Sequence, residues 1–521
     1  MPDNAQPFEW VGQWIERRAA LSPDAVGLRD VTTGEAYTYA ELDQRANRTA
    51  RLLREHGVES GTDVAPGEAG GRVAVLSRNR PEFVDLFFAT GKTGGVLAPL
   101  SHRLAAPELA ALLTDIEPEL LVVEGPFDDL VRDVCAREDC AYDGPILGLG
   151  DSAYDSFGSA LPDDDSPVET PDLSMADPHL FLHTGGSTGV PKETVLTHGS
   201  IVWNAVNTVT AWGLRPEDVT PMVFPFFHTG GWNVLTIPFF HIGAEVVIAR
   251  EFDAEEVLEI VDERDASVLV AVPAVLRMMT QAEGWADADL ATLRFAKSGG
   301  GPCRESVMEE WWSRGVDLSQ GYGLTECGPN NFAMPTDWPR EKADSVGVPA
   351  MHVDIRIVDG GGERVDQGDI GELEIASPHA ADRYWHNPEE TEATFGQGWV
   401  STGDLARQDD AGYVYIEGRK KNMYVSGGEN VYPAEVEDVI AGHPKVDEVV
   451  VIPVPDEQWG QVGKAVVEGD ASLTLEELTE FLDGKLARFK RPRHLDFVDE
   501  MPTSGPSKID RETVKQRFGE E

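Results

Sequence analysis

Short β-branched, apolar runs alternate with longer amphipathic ones along most of this chain, and that rhythm restricts its fold more than any other feature. "RVAVLS" (72–77) reads as a short buried strand, and "PEFVDLFFATGKTGGVLAPL" (81–100) opens a helix at a proline and returns to a strand. "AEVVIA" (244–249), "FDAEEVLEIVDERD" (252–265) and "ASVLVAVP" (266–273) repeat strand, helix, strand. Strands separated by helices are joined by crossovers, so they lie largely parallel in layered α/β units. The first residues add a helix, "WVGQWIERRAAL" (10–21), and a hairpin, "VGLRDVTTGEAYTYAE" (26–41), that turns at TTGE. A helix over 41–57 follows and is closed by Gly57. "SGTDVAPGEAGG" (60–71) is a surface loop and "LPDDDSPVETPD" (161–172) a polar linker.

After about residue 350 the rhythm changes. "HVDIRIVD", "GELEIA" and "GYVYIEGR" are short strands between Gly/Asp turns, which predicts a small β-rich subdomain. Beyond residue 421, "AEVEDVIAGH" and "LEELTEFLDGKLA" read as helices, "VDEVVVIPVPD" and "GKAVVEGD" as strands. The expectation is an α/β multi-domain chain. It has a large N-terminal domain (1–418) of layered α/β subdomains plus the β-rich one, a hinge (419–421), and a small α+β C-terminal domain (422–521). A length of 521 residues agrees, being too long for one ordinary domain.

Acidic residues outnumber basic ones 92 to 43, for a net charge of -49, and they are spread along the chain. Such self-repulsion is tolerable where salt screens it, so a halophilic source is expected. The same charge argues against nucleic acid and anionic membranes as partners. Cys135, Cys140, Cys303 and Cys327 form no CxxC or zinc spacing, and the first ten residues have no basic or apolar signal-like region. Both points predict a cytoplasmic protein with reduced thiols. Between Asp218 and Glu245 no charged residue occurs, long enough for a membrane span. Pro221, Pro225 and Pro238 argue instead for a buried pocket wall. The sequence is compatible with a homodimer and does not fix the oligomeric state.

"HTGGSTGVPKET" (183–194) departs from a Walker loop: Pro191 stands where the second Gly belongs and Glu193 where the metal-binding hydroxyl belongs. Gly185, Gly186 and Gly189 still permit a tight turn that aims N–H groups at an anion. Ser187 and Thr188 add hydroxyl donors, and Lys192 adds a point charge. "SQGYGLTECGP" (319–329) offers the Glu326 carboxylate beside the Thr325 hydroxyl, and Mg²⁺ favours one or two carboxylates plus phosphate oxygens. A plain linker and a plain turn are the bland readings of these two stretches.

The loop resembles the "TSGTTGxPKG" signature of the adenylate-forming superfamily, which includes acyl-CoA synthetases, adenylation domains of nonribosomal peptide synthetases and firefly luciferase. The other motifs of that superfamily follow in order over nearly the whole chain. The resemblance implies that Thr184, Gly186, Ser187, Thr188, Gly189 and Lys192 grip the β- and γ-phosphates of ATP. It implies that Glu326 binds Mg²⁺, that Thr325 bonds the α-phosphate or the acid, and that Tyr322 stacks on adenine. By the same resemblance Gly301 and Pro302 of "SGGGPCRE" would flank the adenine, Asp404 would accept both ribose hydroxyls and Arg419 would be a second ribose contact. The resemblance also implies that Lys421 sits at the hinge, that Gly427 and Gly428 line the pantetheine channel, and that Lys508 of "MPTSGPSKIDR" is the adenylation lysine. His228 in "FPFFHTGGWNVLTIPFFHIGA" is the gate beside the acid, with Gly230, Gly231 and Trp232 shaping its tunnel. The basic patch "LARFKRPR" would meet the CoA phosphates through Lys490, Arg491 and Arg493. Three departures stand out: Gly185 for Ser, Ser507 for Gly, and Glu193 for Gly, which puts a carboxylate near phosphate.

The expected activity is an AMP-forming acid–CoA ligase acting on a fatty or aromatic carboxylic acid, with ATP, Mg²⁺ and coenzyme A. A stand-alone enzyme loading a carrier protein and a non-catalytic acyl or adenylate binder are the alternatives.

Overall fold

The computed structural model describes residues 8, 10–60, 67–184, 191–426, 429–456, 459–503 and 509–519. Its largest sheet has eight strands, in the order Arg383–Tyr384, Lys192–Thr197, Pro178–Thr184, Val96–Leu100, Arg72–Leu76, Leu120–Glu124, Ile146–Leu149, Asp155–Ser156. From Pro178–Thr184 onward all neighbours are parallel, as the alternation predicts. Lys192–Thr197 and Arg383–Tyr384 then add two antiparallel strands at the other edge. Both faces of the parallel part are buried, so its strands are apolar without a break.

The helices covering it carry clear local signals. In Tyr39–Glu55 the Thr38 side chain accepts from the Glu41 N–H while Glu41 returns the contact, a capping box that stabilises the helix by about 1 kcal/mol. Pro81–Thr93 starts on proline and stops at Gly94, whose φ of 75° is left-handed. This helix is buried almost all round between layers. Its two buried charges are paired: Asp85 takes Arg45 at 2.9 Å and Lys92 takes Asp43 at 2.8 Å. Ala106–Ile116 and Asp128–Cys135 cover the opposite face.

A second sheet orders Val219–Met222, Glu245–Ile248, Val26–Asp30 and Glu35–Thr38, the last two forming the expected hairpin. A third holds parallel Val268–Ala271, Phe295–Ser298 and Leu318–Gln320. The β-rich part is a four-stranded antiparallel sheet of Asp354–Val358, Gly371–Ala376, Val400–Gln408 and Val414–Arg419. The short turn Lys420–Asn422 leads out of it. The remaining chain packs a five-stranded sheet and helices around buried side chains drawn only from residues 424–514.

The uncharged stretch 219–244 folds as a strand, a five-residue π-turn (Gly230–Val234) and the short helix Thr236–Ile242. No helix among the described residues is long and apolar enough to cross a membrane. Most of the stretch is buried, as expected. Trp232 is fully buried, stacks on Phe87 at 4.9 Å and donates to the Phe226 carbonyl at 2.6 Å. Apolar composition alone does not distinguish a core from the lining of a cavity.

Candidate active site

The glycine-rich loop lies between two antiparallel strands. Thr184, the last residue of Pro178–Thr184, is the cross-strand partner of Lys192, the first residue of Lys192–Thr197. Among the described residues the chain continues from the loop into a strand and not into a helix. Any anion there depends on backbone N–H groups, hydroxyls and Lys192. Gly186, Ser187, Thr188 and Gly189 lie outside the described residues, as do Gly427, Gly428 and Lys508.

Side chains alternate along a strand, so Lys192 and Glu193 face opposite ways. The Lys192 ammonium pairs with the Glu390 carboxylate and sits 4.7 Å from the centre of the Tyr384 ring. Burial lowers its pKa, while the charge of Glu326 works the other way. Tyr384 donates its hydroxyl to Glu326 Oε1 at 2.8 Å, which fixes that carboxylate beside the lysine. A half-buried carboxylate next to a cation suits a metal ion that takes its other ligands from phosphate oxygens. Among the described residues no cluster of three or more His, Cys, Asp or Glu could hold a metal by itself.

Glu326 and Thr325 belong to a turn pinned by the Leu324 N–H donating to the Gly328 carbonyl at 3.2 Å. At the start of that turn Tyr322 donates to Asp404 Oδ2 at 2.5 Å. Burial, and then the Asp404 charge, raise the Tyr322 phenol well above its ordinary pKa, so it stays a donor. Asp404 is 4% exposed, and its other oxygen takes Arg419 Nε at 2.8 Å from the neighbouring strand. Each carboxylate oxygen has a second lone pair, so Asp404 can still accept a pair of vicinal hydroxyls. Tyr322 is therefore tied to the ribose-type acceptor through its hydroxyl, with its ring edge-on to Phe332 at 5.8 Å.

Gly301 and Pro302 are exposed in the turn after strand Phe295–Ser298. The Gly321 N–H donates to Ser298 O at 2.7 Å, which brings that turn beside the Tyr322 turn. Both stand at the C-terminal ends of parallel strands, where open α/β sheets bind ligands. Beside them Arg304 reaches the later part of the chain, donating to the Asp447 carbonyl and Glu448 Oε1, both at 2.9 Å.

Other expected groups behave differently. Glu193 is buried, 1% exposed, and its carboxylate points into the protein. His228 is exposed and its ring lies 4.7 Å from Phe227. In the basic patch three cations have partners: Lys490 holds Glu435 at 2.5 Å, Arg491 holds Asp483 at 2.9 Å, and Arg493 lies 5.0 Å from the Trp459 ring. Tyr384 and Glu390 escaped the sequence reading. The Asn387 side chain accepting from the Glu390 N–H announces the helix Pro388–Phe395. Nothing local says that this helix meets residue 192.

A family model described as AMP-binding enzyme matches residues 15–385, and one described as AMP-binding enzyme C-terminal domain matches 435–508. A feruloyl-CoA synthase of Amycolatopsis sp is 36% identical over 98% of this chain and 99% of its own. An indoleacetate–CoA ligase of Aromatoleum aromaticum is 35% identical over 97% and 98%. The crystal structure of ATP-bound MatB from Rhodopseudomonas palustris superposes with a TM-score of 0.87 at 29% identity, over 98% of this chain and 99% of that one.

Proposed function

The chain belongs to the AMP-binding enzyme family, and we propose that it joins a carboxylic acid to coenzyme A in two steps driven by ATP. In the first, the carboxylate attacks the α-phosphorus of ATP, giving an acyl-adenylate and pyrophosphate. In the second, the CoA thiol attacks the acyl carbon, giving the thioester and AMP. The observation that carries this reading is two runs of contacts, Lys192–Tyr384–Glu326 and Tyr322–Asp404–Arg419, joined by the single turn that holds Tyr322 and Glu326. One end offers a cation and a carboxylate, the other a two-oxygen acceptor. A triphosphate and a ribose need those groups in that order.

In this reading Lys192, with Thr184 and the loop residues Gly186 to Gly189, holds the β- and γ-phosphates. Glu326 would hold Mg²⁺, which supplies charge neutralisation at the phosphates. Thr325 bonds the α-phosphate, Gly301 and Pro302 flank the base, and Asp404 and Arg419 orient the ribose. His228 stands at the acid entrance. Lys508 bridges acid and phosphate as charge builds, and rotation about Lys421 then exchanges it for a CoA channel past Gly427 and Gly428. Lys490 meets the CoA phosphates once it leaves Glu435. The two named ligases above act on aromatic acids, which supports an aryl-alkanoic or aryl-propenoic acid as substrate. Four free cysteines suit a reducing cytoplasm.

Pyrophosphate–ATP exchange in molar KCl, across acetate, palmitate, benzoate, cinnamate and indoleacetate, tests the reading. Label should return to ATP with an aromatic acid, and silence with every acid would end it. AMP release that needs free CoA separates the ligase from a carrier-loading enzyme. Lys508→Ala should lose exchange roughly a hundredfold or more while thioester formation from supplied acyl-AMP survives. Equal loss of both halves would refute that role.

A further inference from the structure

Directly below the mouth of the phosphate loop, the hairpin carries a second pair of facing residues, His183 and Glu193. Both are buried, and His183 Nδ1 lies 3.9 Å from Glu193 Oε1. Among the described residues neither Glu193 oxygen has a hydrogen-bond partner, and neither has His183 Nδ1. The Pro99 carbonyl bonds the imidazole, and the orphaned Nδ1 leaves Nε2 as its donor. Nδ1 then presents a lone pair toward the carboxylate in a buried space. Three acceptors facing one another are unfavourable until a proton sits among them.

The surroundings put that proton on the carboxyl. Burial, with the Asp115 charge behind it, pushes Glu193 up to about 8. Burial, with His228 nearby, pushes His183 down to about 3. Asp115 comes from the helix Ala106–Ile116 and is bonded to His386 at 3.1 Å. The Trp385 N–H donates to the Glu193 carbonyl at 2.8 Å, and Arg72 lies 5.8 Å from the Trp385 ring. No cation among these groups meets the carboxyl itself. An ionised Glu193 would be an unpaired anion next to Lys192, in a medium that screens poorly.

We propose that Glu193 is a positioning residue that must carry its proton, held toward His183, for the nucleotide phosphates to settle in the loop above it. The inference rests on the acid–CoA ligase reading. Ionisation weakens nucleotide binding because it sets an unpaired, buried negative charge beneath the loop that takes the polyphosphate. The effect therefore falls on KM for ATP and leaves kcat nearly untouched.

The test compares wild type with Glu193→Gln, whose amide N–H replaces the acid proton, in the exchange assay from pH 6.5 to 9. If only the neutral form binds, wild-type KM for ATP rises about tenfold between pH 7 and pH 9, while E193Q stays nearly flat. Lys192 is the competing cause of an alkaline limb, since its pKa is also lowered. Superimposed profiles would assign the limb to Lys192 and overturn the inference. Calorimetry of ATP binding to wild type at pH 8.5, in buffers of different ionisation heat, needs no variant. It should show uptake of more than half a proton, and zero uptake overturns the inference. If no acid supports exchange at any pH, the ligase reading fails, and calorimetry still decides the role of Glu193.

Discussion

At the scale of single residues the site works through contacts that hold charged groups in place. Tyr384 fixes the Glu326 carboxylate with its hydroxyl and lies beside Lys192 with its ring. Tyr384→Phe keeps the ring and loses the hydroxyl. It should raise the Mg²⁺ concentration needed for half-maximal exchange about five- to tenfold, the weight of one charge-assisted hydrogen bond. A magnesium titration reads this directly, and an unchanged midpoint would detach Tyr384 from Glu326's role. Asp404→Ala removes the acceptor that Tyr322 and Arg419 share. KM for ATP should rise at least tenfold, with a smaller change in kcat. A variant whose KM holds while kcat falls would move Asp404 out of ground-state binding.

At the scale of elements, glycine marks where backbones touch. A Cβ on Gly231 would stand 2.4 Å from the Pro225 carbonyl oxygen and 2.9 Å from Phe226 Cα. Both are backbone atoms and cannot swing aside. Gly231→Ala should therefore cost about 1–3 kcal/mol of stability, seen as a lower melting temperature, with the π-turn Gly230–Val234 displaced. The layered parallel sheets were legible from alternation because a strand buried on both faces must be apolar throughout. Lys192, Glu326, Asp404 and Arg419 were legible by residue type within their motifs. Tyr384 and Glu390 were not, because they reach the loop only through the edge pairing of Tyr384 with Thr194, 190 residues apart, which leaves no local pattern. The burial of Glu193 was not legible in its motif, because only the pleat, which turns Lys192 toward Glu390 and Tyr384, sends the next side chain the other way. The Lys490 patch showed its charge but not its partner, since Glu435 lies 55 residues away.

At the scale of the whole molecule, buried histidines and acidic surface set opposing demands. His102, His179, His183, His198, His241 and His379 all have lowered pKa values, chiefly through burial. The unfolded chain protonates them near 6.5 while the folded chain resists, so acidification below that point favours unfolding. Glu193 has the opposite sign: its folded pKa is raised, so it lowers stability progressively from about pH 4.5 up to about 8. Asp438, pushed up to about 6, and the raised carboxyls Asp85, Glu256 and Glu417 share that sign, yet between pH 6.5 and 5 the six buried histidines outweigh them, and the melting temperature should fall as the pH drops. A flat profile there would contradict the buried neutral state of these rings. A net charge of -49 should also make the melting temperature rise with KCl into the molar range. The pair of Arg304 with Glu448 joins the nucleotide side to the 424–514 core, and both partners are about one-third exposed. Brine that steadies each half must at the same time slacken this clasp between them. Turnover limited by the swing of the smaller half would then quicken in the same medium that hardens the enzyme against heat.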